Sequence, residues 1–186
     1  VKVKFVTGNM GKFAEVSAIF AEQGIELERL EDEYPEIQSD RLEDVVDWGL
    51  DWLWERHKQP IIIDDSGLFI KGLGGFPGVF SAYVFKNIGC AGILKLLDGL
   101  DDREAEFMCC AGYADEAGNK VVVFGCVEGQ IIRREMGTGG FGYDPIFVPA
   151  GEERTFAQLS LEEKNSHSHR GKAFRKLAQV LSKLME

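Results

Sequence analysis

The run Ile61-Ile62-Ile63, preceded by Pro60 and followed at once by Asp64 and Asp65, restricts the fold more than any other stretch of this chain. An apolar run without polar alternation is what a strand buried on both faces requires, and such strands belong to sheets covered by helices on either side. Carboxylates at the carboxyl end of such a strand lie where α/β folds place their ligands. Neighbouring side chains alternate in direction, so one can reach a cleft while the other braces it. Magnesium is the natural partner of such a pair, although both residues would also suit the cap of a following turn.

The flanking segments supply the helices. Val1, Val3 and Phe5 alternate with Lys2 and Lys4, which predicts a strand over residues 1–7. From Lys12, the spacing of Phe13, Val16, Ile19 and Phe20 predicts a helix that Gly24 stops, followed by a strand over 25–30, the opening of a βαβ unit. Leu42, Val45, Val46, Gly49, Trp52 and Leu53 keep one helical face through an acidic segment. Residues 66–78, rich in glycine, predict a loop, and 88–97 a short helix. Alternation from Ala105 to Tyr113, a turn over 115–119 and a second run over 120–127 predict a hairpin. A short strand over 145–149 and a helix marked by Phe174, Leu177, Ala178, Leu181 and Met185 complete a single α/β domain with a mixed central sheet flanked by helices.

Charge narrows the partners. The 186 residues carry 21 Lys and Arg against 31 Asp and Glu, a net −10, which excludes a protein that tracks along a polymeric nucleic acid or an anionic membrane. The deficit is local: residues 22–66 carry −11, whereas 1–21 and 151–186 each carry +2. An anionic small molecule would be met at those two ends. No apolar run approaches the roughly 20 residues of a spanning helix, and the start lacks the layout of a signal peptide, so a cytoplasmic protein is expected. Cys90, Cys109, Cys110 and Cys126 show no metal-binding spacing. Cys109 and Cys110, being adjacent, should point to opposite faces of a strand as reduced packing residues.

Four clusters carry chemistry. TGNMGK (Thr7, Gly8, Asn9, Met10, Gly11, Lys12) joins a strand to a helix, where backbone N–H groups and the Lys12 charge suit a phosphate; a plain turn capped by Asn9 is the competing reading. It is neither a Walker A loop nor a dinucleotide fingerprint. DDSG supplies Asp64, Asp65 and Ser66. GTGGFGYDP (137–145) combines four glycines with Phe141, Gly142, Tyr143 and Asp144, so that an aromatic ring could stack on a planar base at close backbone approach. EEKNSHSHRGKA (162–173) places Lys164, His167, His169 and Arg170 just before the last helix, as donors to base oxygens or phosphates, or else as a solvated basic helix start.

In this order the clusters, together with FPGVFSAY (76–83), resemble the inosine triphosphate pyrophosphatase family, the Ham1-like pyrophosphatases of non-standard purine nucleoside triphosphates, over essentially the whole length. Many bacterial members have Ser-Ala-Arg where this chain has Ser81, Ala82 and Tyr83, so a role of that arginine does not carry over. The resemblance implies two lobes with a nucleotide cleft between them, a homodimer, and Mg²⁺-assisted hydrolysis of ITP, dITP and XTP to the monophosphate and pyrophosphate. It implies that Asp65 is the catalytic base and, with Glu36 of YPEIQ, a metal ligand, Asp64 being a second candidate for the proton. Thr7 to Lys12 would hold the phosphates. Ser66, Phe141 to Asp144, Lys164, His169 and Arg170 would frame base and sugar, with Phe141 the expected stacker. Two rivals stand beside this reading, a Maf-like pyrophosphatase of modified or pyrimidine nucleotides and a nucleotide sensor without turnover.

Overall fold

In the computed structural model, which describes residues 2–184, the alternation at the start becomes β1 (Lys2–Val6), with Val3 and Phe5 buried; Val1 and Met185 lie outside the described residues. α1 (Met10–Ala21) begins two positions before Lys12 because Asn9 caps it, its Oδ1 accepting from Lys12 N at 3.1 Å. β2 (Glu26–Leu30) returns parallel to β1, completing the βαβ unit. α2 (Leu42–His57) turns Leu42, Val45, Val46, Leu50 and Leu53 inward and its acidic residues outward.

β3 (Ile61–Ile70) departs most from expectation. The isoleucines are fully buried, but the strand does not end at Asp64: it runs on to Ile70, through the first five residues of the stretch expected to be a loop (66–78), whose remainder is a short 3₁₀ turn, a glycine turn and the two-residue β4 (Pro77–Gly78). The reason is pairing. β5 (Glu104–Ala114) runs antiparallel along β3 from Ile61 to Ile70 and pairs one of its edges throughout, so the glycine at 67 is carried in a strand. β1, by contrast, pairs with β3 only at Ile61 and Ile62. The carboxylates therefore sit in mid-strand, yet just past the end of the parallel β1–β3 contact.

α3 (Ser81–Leu96) starts at Ser81 rather than 88 and is broken at Gly89, whose φ of 61° and ψ of −165° are not helical. β5 and β6 (Lys120–Ile131) form the expected hairpin, longer than the alternation alone suggests, with Asp115 closing the turn by accepting from Ala117 N and Asn119 N at 2.8 Å. β7 (Phe147–Pro149), α4 (Leu161–His167) and α5 (His169–Leu184) follow. The mixed sheet has the order β2-β1-β3-β5-β6-β7, with β4 beside β3.

Side chains of α1, α5 and one sheet face form a core around Phe5, Phe20 and Phe174; α2 packs on the other face against Ile61, Ile63 and Cys110; a third core surrounds Phe107, Phe147 and Phe156. Cys109 and Cys110 fall into different cores, as their adjacency on a strand dictates. Among the described residues no helix is long and apolar enough to cross a membrane.

Candidate active site

Between Ile62 and the β4 contact at Leu68 and Phe69, the edge of β3 that faces β1 has no strand partner among the described residues, and Lys12, from the turn after β1, reaches Asp64 there. Thr7 Oγ1 accepts from Asn9 N at 3.1 Å and fixes that turn, while Gly8, Asn9 and Met10 stay exposed. The first N–H groups of α1 have no intrahelical acceptors, so the turn is a place for an anion. Lys12 extends from it to Asp64, with Nζ 3.3 Å from Oδ1.

Asp64 is the hub of a buried network. Its Oδ2 accepts from Arg170 Nε at 3.2 Å, Ser66 Oγ at 3.3 Å and the Cys109 thiol at 3.7 Å. Arg170 also donates to Glu15 Oε2 at 2.8 Å and to Ser66 Oγ at 3.0 Å. Glu15 accepts from Lys164 as well, and Lys164 reaches Asp144 Oδ2 at 2.6 Å. Lys164 and Arg170 do not both precede the last helix: Lys164 lies in α4, and His169 and Arg170 open α5. Nor do they form a solvated basic start, since Lys164, His169 and Arg170 are all buried. Buried cations at a helix start are tolerated only when paired, and here Glu15 and Asp64 pair them. Burial alone would raise the Asp64 carboxyl, but Lys12 and Arg170 hold it below its usual range; Arg170 and Lys164 do the same for Glu15.

Asp65 is the contrasting neighbour. It points to the other face of β3, where its Oδ1 accepts from Ser66 N at 3.0 Å and its Oδ2 is buried with no hydrogen-bond partner among the described residues. Burial, only partly countered by Lys12, pushes this carboxyl up to about 7, with Glu36 and Asp64 adding repulsion. Glu36 is exposed, on the segment between β2 and α2. Tyr34, two residues earlier, is held protonated by burial and by the negative charge of Asp65, Asp64 and Glu36. Among the described residues no three His, Cys, Asp or Glu side chains converge as a metal cage. Magnesium needs none, because one or two carboxylates with waters and substrate phosphates suffice. A buried carboxylate oxygen lacking a partner, with a second carboxylate in its field, fits such a cation.

The glycine-rich cluster forms the opposite wall. Asp144 Oδ2 accepts from Phe141 N at 3.0 Å and curls the loop back on itself; a Cβ on Gly140 would collide with that carboxylate. Phe141 packs so closely on the start of α1 that a Cβ at Gly11 would lie 2.6 Å from its ring, and Lys164 Nζ stands 4.6 Å from the ring centroid on a cation–π path. Tyr143 does not share this wall: it is buried in the third core, its ring edge-on to Phe85 and its hydroxyl donating to Ser81 O at 2.7 Å. His169 is buried against Phe107, rings 4.6 Å apart and nearly parallel, with Nδ1 unpartnered among the described residues. The structure thus brings together Thr7, Lys12, Asp64, Asp65, Ser66, Phe141, Asp144, Lys164 and Arg170.

Glu15 was not singled out by the sequence, although it ties the phosphate-type turn to Lys164 and Arg170. A lone glutamate on the buried face of a helix, beside Val16 and Ile19, was the available sign.

Comparison with known proteins places this arrangement in context. The profile of the Ham1 family matches residues 3–180. The chain is 50% identical over 179 residues to a dITP/XTP pyrophosphatase of Methanopyrus kandleri, covering 96% of this chain and 95% of that protein. It is 50% identical over 175 residues to a dITP/XTP pyrophosphatase of Pyrococcus horikoshii, covering 94% of each. Its fold is similar to a HAM1 protein from Coxiella burnetii, with a TM-score of 0.85 at 31% identity over 98% of this chain and 99% of that one.

Proposed function

This chain belongs to the Ham1 family, and from that premise we propose that it hydrolyses non-canonical purine nucleoside triphosphates, dITP, XTP and ITP, to the monophosphate and pyrophosphate. One observation carries the reading: Lys12, at the phosphate-type turn, lies within electrostatic reach of Asp65, a buried carboxylate whose Oδ2 has no hydrogen-bond partner among the described residues, while Lys164 and Arg170 are paired with Asp144, Glu15 and Asp64 on the other face of β3. That is the machinery for drawing in a polyphosphate and activating water beside it.

The residues divide the work. The Thr7–Lys12 turn holds the phosphates, and Lys12 also neutralises charge on them. Asp65 Oδ2 accepts the proton of the water that attacks the α-phosphorus; Asp64 is unsuited, because its oxygens are engaged by Lys12, Arg170, Ser66 and Cys109. Asp65 and Glu36 would hold magnesium, which would supply charge neutralisation on the triphosphate and on the departing pyrophosphate. Phe141 stacks on the base, and Lys164 and Arg170 present donors to the oxygen at C6, which adenine lacks. A site built to donate to such an oxygen rejects its absence by up to roughly 10⁴. Ser66 and His169 complete the walls.

The same reading makes the enzyme a cytoplasmic homodimer. Exposed Phe76, Phe80, Tyr83, Phe85 and Ile88 along α3 and the turn before it support an interface. The Maf-like and sensor readings lose ground to the dITP/XTP pyrophosphatases among the relatives and to the free oxygen of Asp65.

The test is product identification from dITP or XTP with Mg²⁺. The monophosphate with pyrophosphate is expected; orthophosphate with the diphosphate would overturn attack at the α-phosphorus.

A further inference from the structure

The carboxylate assigned to the metal from outside the sheet, Glu36, lies on residues 31–41, which form neither helix nor strand. Something must hold that segment in place, because an exposed glutamate on a free loop gives a weak and ill-placed ligand. Its hydrogen bonds act at the two ends. Asp32 Oδ2 lies 2.7 Å from His57 Nε2 and 3.5 Å from Arg56 Nε at the close of α2, and Ser39 Oγ donates to Asp44 Oδ2 at 2.7 Å. Between them the contact is made by Tyr34, packed into the core that α2 forms with β3.

The seat of that ring is Gly49, in the middle of α2. A Cβ at position 49 would lie 2.6 Å from Tyr34 Cε2, 2.8 Å from Cδ2 and 3.0 Å from Ile63 Cδ1. Glycine is a poor residue for the interior of a helix. Here its missing side chain opens a notch that the aromatic ring fills, one residue of the helix away from Leu50 and directly over the strand that carries Asp65. Tyr34 is also within electrostatic reach of both Asp65 and Glu36.

We propose that Tyr34 seated in the Gly49 notch is the positioning device of the metal site: it fixes the Glu36 segment against β3 so that Glu36 and Asp65 can share a divalent cation. Tyr34 acts through Glu36 and touches no reacting atom. The inference rests on Glu36 and Asp65 being the metal carboxylates, and its test separates the two claims.

Mn²⁺ binding is measured by electron paramagnetic resonance on the nucleotide-free protein, alongside the Mg²⁺ dependence of dITP turnover. Glu36→Gln is the control for the underlying reading, and if it leaves Mn²⁺ affinity unchanged, the metal assignment falls and the positioning claim with it. With that control weakened, Tyr34→Ala is expected to weaken Mn²⁺ binding by roughly tenfold and raise the half-saturating Mg²⁺ to match, with the rate at saturating Mg²⁺ largely kept. Tyr34→Phe keeps the packing and should restore wild-type affinity. The pair Tyr34→Ala with Gly49→Ala guards against simple misfolding: the new methyl occupies space the ring vacates and alanine is the better helix former, so the double variant should fold stably and still bind Mn²⁺ weakly. Wild-type Mn²⁺ affinity in both Tyr34→Ala and the double variant would overturn the proposal while leaving the metal assignment intact.

Discussion

Asp64 and Asp65 are adjacent, chemically identical and both buried, yet the structure gives them opposite surroundings. Asp64 accepts from Arg170, Ser66 and Cys109 and pairs with Lys12, the surroundings of a brace; Asp65 has an oxygen without a partner among the described residues, as the proposed proton acceptor requires. The two amide substitutions should therefore fail differently. Asp65→Asn removes the proton acceptor and a metal ligand, and turnover should fall by at least about 10² with the fold retained. Asp64→Asn leaves Lys12 and Arg170 without their shared counter-charge, and breaking a buried pair costs on the order of 3–5 kcal/mol, so stability should fall markedly. Thermal melts and dITP kinetics on both variants decide; a stable Asp64→Asn with normal turnover would remove the brace. Alternation along a strand made it legible from sequence that the two point apart. Which one faces the cations was not legible, because that depends on Lys12 and Arg170, 52 and 106 positions away in the chain.

At the scale of elements, the junction between the α1 start and the glycine loop is the tightest seam in the site. Gly11 lets Phe141 sit against the helix backbone, with Lys164 Nζ 4.6 Å and the Arg170 guanidinium 5.5 Å from its ring. Gly11→Ala places a methyl 2.6 Å from a ring carbon, and the ring must move. Position 11 lies in the first turn of α1, where alanine is acceptable, so the expected result is a largely kept melting temperature with kcat/KM for dITP reduced about tenfold or more. Unchanged kcat/KM would show that Phe141 does not position the base. The turn, the helix and the glycine loop were each legible from residue pattern; their contact was not. The same limit explains the misread stretch after Asp65, where glycines suggested a loop. Antiparallel pairing to β5 holds residues 66–70 as a strand, and no local pattern records a pairing made 35 to 43 positions away. It explains Glu15 too, a helix residue whose partners, Lys164 and Arg170, lie about 150 positions off.

Over the whole molecule the net −10 is a property of the exterior, concentrated in residues 22–66, while the interior of the site keeps its own balance. Inside are Lys12, Lys164 and Arg170 against Glu15, Asp64, Asp144 and Asp65, three cations for four carboxylates. The excess falls on Asp65, whose second oxygen has no partner among the described residues, and burial raises its carboxyl to about 7. A folded-state value raised above the unfolded 3.8 means that this group opposes folding at high pH, and that the cost disappears as pH falls through 7 toward 3.8. The rise from 3.8 to about 7 corresponds to at most about 4 kcal/mol. Asp65→Asn in EDTA should then melt several degrees above the wild type at pH 8.5, with the gap narrowing through pH 6 and closing near pH 4, because Glu15, Asp64, Asp144 and His169 titrate in both proteins. Mg²⁺ should reverse the order at pH 8.5 by stabilising the wild type alone. A wild type that melts higher in EDTA at every pH would mean that the cations already satisfy Asp65, and the site would have no unbalanced charge with which to recruit a metal.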